Sequence, residues 1–151
     1  MISINKIVCP TDFSEPSYAA LAAANGLALQ YSSELYVVHV VAPLPSSPFY
    51  ATENFDVSSY EEKSLLLAKN LLKDVVDQKV SKDLNVYPVV KLGYAPEEII
   101  NVAEQEKAEL IVISTHGSRG WNHLIFGSVT EKIIRLATCA VLVVRAPQKK
   151  S

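Results

Sequence analysis

Glycine is scarce in this chain: five in 151 residues, with three of the five between positions 117 and 127. Glycine-rich linkers are therefore absent, and the local density singles out one loop where the backbone needs unusual freedom or close approach. Cysteine is equally sparse. Cys9 and Cys139 form no ligand-spaced motif, and both lie in or beside expected strands, so they read as reduced core thiols rather than as a disulfide. No His-x3-His or Cys-x2-Cys spacing exists, which argues against a metal site. Long apolar runs are missing too, with none near the roughly 20 residues needed to span a bilayer. The opening Ile4-Asn5-Lys6-Ile7-Val8-Cys9 is too short and interrupted for a secretory h-region. The expectation is a cytoplasmic chain with no membrane partner. Charge of one sign is also absent: 14 Lys and Arg against 16 Asp and Glu leave −2, no electrostatic footprint for nucleic acid.

What is present is apolar. Hydrophobic residues make up 49% and charged residues 20%, the composition of a globular chain with one core. Five short runs, at 4–9, 35–41, 86–90, 110–113 and 140–144, are mostly Val- and Ile-rich and nearly continuous. That is the pattern of parallel strands covered on both faces. Between them lie four helical stretches. Residues 14–31 open on Ser14-Glu15-Pro16, a cap with an early proline. Residues 57–80 align Leu65, Ala68, Leu72, Val75 and Val76 on one stripe. Residues 96–107 start Pro96-Glu97-Glu98, with acidic groups at the positive helix end. Residues 128–138 start Ser128-Val129-Thr130-Glu131, the pattern of a capping box.

This alternation predicts an α/β fold: one doubly wound five-stranded parallel sheet with helices on both faces and right-handed crossovers. Pro88 cannot donate a ladder hydrogen bond, so its strand belongs at an edge, as the order 3-2-1-4-5 provides. The direction of winding then reverses between strands one and four, and ligands of open α/β sheets bind at that switch point. Two loops are nominated: the one after Cys9 and the one after Ile113. The long Pro-rich stretch 42–57 emerges on the same edge and reads as a lid or a mobile segment.

The second nominated loop carries the glycines. Ser114-Thr115-His116-Gly117-Ser118-Arg119-Gly120 leaves a strand, and Gly127-Ser128 enters a helix. A helix start offers free amides and a positive dipole end, which hold an anion. Gly127 removes a Cβ where a phosphate would approach, Ser128 adds a hydroxyl, and Arg119 is the nearby full positive charge. The alternative is an ordinary strand-to-helix loop turned by glycine. Neither the P-loop nor the Rossmann spacing is present.

Ser114-x2-Gly117-x9-Gly127-Ser128 resembles the nucleotide loop of the universal stress protein family, usually Gly-x2-Gly-x9-Gly-Ser/Thr, with Ser114 in place of its first glycine. Pro10-Thr11-Asp12-Phe13-Ser14, His39-Val40-Val41 and Cys139-Ala140-Val141-Leu142-Val143-Val144 resemble the family's first, second and last strand signatures. The resemblance spans nearly the whole chain. It implies one nucleotide-binding domain over 1–147 with a short tail at 148–151. It further implies a ligand, ATP or alternatively ADP or AMP, with Mg2+ carried by the phosphates. Asp12, beside Pro10 and Thr11, would meet the ribose or adenine end, and the Val41 backbone, next to Val40, would read the adenine edge. Gly117, Gly127 and Ser128, with the Val129 and Thr130 amides, would hold phosphates, and Arg119 and Gly120 complete the loop. On the residues themselves, His116 and His123 flank the loop, and either could touch phosphate. Read from residues alone, Asp12 is also a cap or Asx turn beside Ser14.

No catalytic set announces itself. His39 lies in an apolar run and reads as a packed core residue, and Asp12 is the only obvious acid for phosphoryl transfer. Three functions stay open: a nucleotide-dependent regulatory switch, a weak ATPase, and a stress-induced dimeric scaffold that binds no nucleotide. The final apolar strand, Ala140, Val141, Leu142, Val143 and Val144, falls at a sheet edge. Pairing with a second copy would cover it, giving a homodimer.

Overall fold

The computed structural model describes residues 3–51, 54–117 and 126–147. Among the described residues nine elements alternate: β1 (Lys6–Pro10), α1 (Glu15–Tyr31), β2 (Glu34–Val41), α2 (Val57–Lys79), β3 (Val86–Leu92), α3 (Ala95–Glu106), β4 (Leu110–Ser114), α4 (Ser128–Leu136) and β5 (Ala140–Val144). The strands form one parallel sheet in the order β3-β2-β1-β4-β5, as expected from the sequence. Pro88 does sit in the edge strand β3, opposite Val37, where a missing donor costs no pairing on the open side.

Strand alternation sorts the core into two layers. Ile7, Cys9, Leu35, Val37, Leu110 and Val112 face α1 and α2. Val8, Tyr36, Val38, Ile111 and Ile113 face α3 and α4. Alanines at 20, 24 and 28 let the α1 backbone lie close to the first layer, while Ala68, Leu72 and Val75 of α2 complete it, on the stripe read from the sequence. Leu72 is fully buried, and truncation to Ala there would cost about 3 kcal/mol.

Helix ends follow local chemistry. Ser14 caps α1 by accepting from the Ser17 N–H at 3.3 Å, and Asp56 caps α2 through Ser59 at 3.0 Å. α1 and α3 stop without glycine: Ser32 (φ 54°) and Lys107 (φ 55°) take left-handed conformations instead. The capping box expected at Ser128 and Glu131 is not formed. Gly127 is the N-cap of α4, with no side-chain cap, and Glu131 instead accepts from Arg135 at 2.7 Å one turn along. Phe49, Tyr50 and Phe55 before α2 and Tyr60 in its first turn make a chain of ring contacts at 5.3, 5.2 and 6.0 Å.

No helix among the described residues is long and apolar enough to cross a membrane. Cys9 and Cys139 are both free thiols. Burial pushes the Cys9 thiol up to about 12, as expected of an inert core cysteine.

Candidate nucleotide site at the switch point

β1 pairs with β2 on one side and β4 on the other, but its last residue is Pro10. Beyond it the chain must leave the sheet, and four bonds on Thr11 anchor that departure. The Thr11 N–H donates to the Val38 carbonyl at 2.8 Å, and Thr11 Oγ1 accepts from the Phe13 N–H at 3.1 Å and lies 2.8 Å from Ser17 Oγ. The Thr11 carbonyl is met by His39 Nδ1 at 2.8 Å. A carbonyl only accepts, so Nδ1 of His39 carries the proton. Where the β1–β2 ladder ends, a side chain thus takes over the bonding of the backbone.

Asp12 follows. Its Oδ1 accepts from the Ser14 N–H at 3.1 Å and from the Ser14 hydroxyl, an Asx turn that leads into α1. Phe13 between them has φ 65°, a left-handed conformation that is strained for a bulky residue, and its ring lies 4.4 Å from the His39 ring.

Across the fork, β4 ends at Ser114. The Ser114 hydroxyl donates to the His116 carbonyl at 2.9 Å, turned into its own loop, so a side chain at the family's glycine position is accommodated there. Thr130, 3% exposed, donates to the Ser114 carbonyl at 2.7 Å, and the Gly127 N–H donates to the Thr115 carbonyl at 2.7 Å. These two bonds lash the start of α4 to the end of β4. The first intrahelical donor is the Glu131 N–H, to the Gly127 carbonyl, so the amides of Ser128, Val129 and Thr130 are the uncapped first turn.

Between these walls lies a cavity of about 460 Å³. Pro10, Thr11, Asp12, Val40, Ser114, His116, Gly117, Gly127, Ser128, Val129 and Thr130, all nominated from sequence, line it together. Val41 does not. Its carbonyl accepts from the Gly93 N–H at 3.0 Å on the β3 side, and ladder alternation turns the Val40 backbone toward the β1 side, past the last paired residue. At this end of β2 it is therefore Val40, and not Val41, that lines the cavity. Arg119 and Gly120 lie outside the described residues.

The sequence reading missed the apolar back wall of Val38, Ala95, Ile99 and Ile113, and it placed His39 in the core although it lines the cavity. The position of His39 near the carboxyl end of β2 was the available signal. Ala95 and Ile99 carry none, since they reach the site through crossover packing of α3.

Known proteins share this fold. Residues 3–145 match the model of the universal stress protein family. The chain is 33% identical over 145 residues to the universal stress protein MJ0531 of Methanocaldococcus jannaschii, covering 96% of this chain and 84% of that one. The solved structure of MJ0577, a universal stress protein of the same organism, superposes with a TM-score of 0.82 at 28% identity, covering 99% of this chain and 100% of that one. A universal stress protein solved in complex with cAMP shares the fold, with a TM-score of 0.66 at 21% identity over 97% of this chain and 100% of that one. The chain belongs to the universal stress protein family.

Proposed function

We propose that this protein binds an adenine nucleotide, with ATP the principal ligand and ADP or AMP variants of it, and acts as a nucleotide-dependent regulatory switch. The observation that carries the reading is the uncapped first turn of α4, opening onto the same cavity as Asp12 and the outward backbone of Val40. Three orphan amides at a positive helix end suit phosphate. An apolar wall of Ile99, Ile113 and Val129 suits a purine face, and a backbone edge at Val40 suits its hydrogen-bonding rim. The cAMP complex of a distant family member supports the same ligand class. Among the described residues no three His, Cys, Asp or Glu side chains converge as metal ligands, so in this reading Mg2+ enters on the phosphates.

The second part of the proposal is a homodimer. β5 is an edge strand whose Val141 and Val143 pack inward while Leu142 stays 40% exposed. An apolar edge of this kind is covered by the same strand of a second copy.

The direct test of the ligand is native mass spectrometry of protein purified without added nucleotide, followed by calorimetric titration with ATP and magnesium. Co-purified adenine nucleotide or micromolar binding upholds the reading. No binding at millimolar concentration overturns it.

A further inference from the structure

His116 follows β4 and lines the cavity beside the start of α4, with its Cα 3.4 Å from where a Gly127 Cβ would lie. Its Nδ1 is buried and has no hydrogen-bond partner, the one such side-chain atom among the described residues. Nε2 is not so buried, so it is the only ring nitrogen a ligand can reach. A neutral imidazole has one N–H and one lone pair. Placing the N–H at Nδ1 would strand a donor away from both water and acceptor, and among buried backbone groups an orphaned N–H is rarer than an under-satisfied carbonyl lone pair. The lone pair therefore sits at Nδ1 and the proton at Nε2. His39, whose Nδ1 donates to the Thr11 carbonyl 2.8 Å away, holds the opposite tautomer on the other wall of the same cavity.

We propose that His116 reads the bound nucleotide through a fixed Nε2–H donor directed at a phosphate oxygen beside the first turn of α4. This rests on the nucleotide reading above and adds the donor atom and the group it recognises. The adjoining amides of Ser128 and Val129 place the anion at that turn, and the Nε2–H supplies a further donor from the segment that follows β4. A donor so placed recognises the phosphate and is indifferent to the nucleoside.

The test uses the amide replacements that mimic each nitrogen separately. Glutamine carries an N–H near the position of Nε2, asparagine near that of Nδ1. Calorimetry of the full chain with AMP and with adenosine should give His116→Gln affinities for AMP within about threefold of wild type. His116→Asn and His116→Ala should each lose about tenfold for AMP and nothing for adenosine, the loss expected for one hydrogen bond to a charged acceptor. Unchanged adenosine binding also shows that the variants are folded. Nitrogen-15 NMR of the ligand-free protein should show the Nε2–H tautomer at His116 and the Nδ1–H tautomer at His39. Asparagine outperforming glutamine, equal losses for adenosine, or an Nδ1–H signal at His116 would each overturn the proposal. Absence of AMP binding by wild type would instead overturn the nucleotide reading beneath it, while the NMR result would still decide the tautomer.

Discussion

Gly117 leaves the space that the Asp12 carboxylate fills: a Cβ built on Gly117 would run into Oδ2 of Asp12. The glycine joins two loops, one from the end of β1 and one from the end of β4, across the switch point. Its counterpart Gly127 is different. A Cβ there meets His116 Cα at 3.4 Å and Thr115 O at 3.8 Å, ordinary contact, and its φ of −71° suits any residue.

Gly117→Ala should therefore displace Asp12, lowering adenine-nucleotide affinity about tenfold and stability by about 1 kcal/mol. Gly127→Ala should change stability by less than about 0.5 kcal/mol. Chemical denaturation and calorimetry of the two variants check the contrast, and equal stabilities would refute the Gly117–Asp12 relationship.

Much of this was legible in advance, and the misses have physical causes. Pro88 marked the edge strand because a missing donor is a local fact with a global consequence. Ser14 marked a helix start for the same kind of reason. The Ser128–Glu131 pattern misled because a capping box needs the serine outside the helix, and Gly127 takes that place. That Val40 rather than Val41 lines the cavity was not legible, because strand parity depends on register with β1 and β3, which one strand cannot reveal. The Gly117–Asp12 contact was hidden altogether, since it joins residues 105 positions apart (117 − 12) through tertiary packing.

Phe13 offers a test of backbone strain at the site. Phe13→Ala removes the ring from His39 and keeps the left-handed φ of 65°, whereas Phe13→Gly removes the ring and relieves the backbone. The glycine variant should be the more stable of the two by roughly 1 kcal/mol, reversing the usual order. A denaturant series on both variants measures the difference.

Glu109 sets part of the acid response. Partial burial raises its carboxyl, but hydrogen bonds outweigh this: Lys6 N–H at 2.8 Å, Asn5 Nδ2 at 3.3 Å and Asn5 N–H at 3.1 Å, leaving it below the ordinary 4.5. A carboxyl lowered in the folded state adds stability fully present above its unfolded value. That stability is lost as pH falls through the folded value. Glu109→Gln should cost about 1 kcal/mol at pH 7, and the gap to wild type should narrow as pH falls below the ordinary 4.5. Urea midpoints across that range show whether it does.

The edge of β5 predicts assembly. Leu142→Lys places a charge on an exposed edge residue without touching the core, so the fold should persist while a wild-type dimer dissociates. Sedimentation at high micromolar concentration distinguishes the two, and a monomeric wild type would remove the dimer from the account.

The most direct measurement is calorimetric titration of wild type and Gly127→Asp with ATP and magnesium, each first shown to unfold cooperatively. Because Gly127 has an ordinary φ and a Cβ there meets only ordinary contacts, the variant should stay folded while its carboxylate repels phosphate at the start of α4. The account predicts micromolar binding by wild type and at least a hundredfold loss, on the order of 3 kcal/mol, in the variant. Equal affinity in the two proteins, or no binding by wild type, would contradict it.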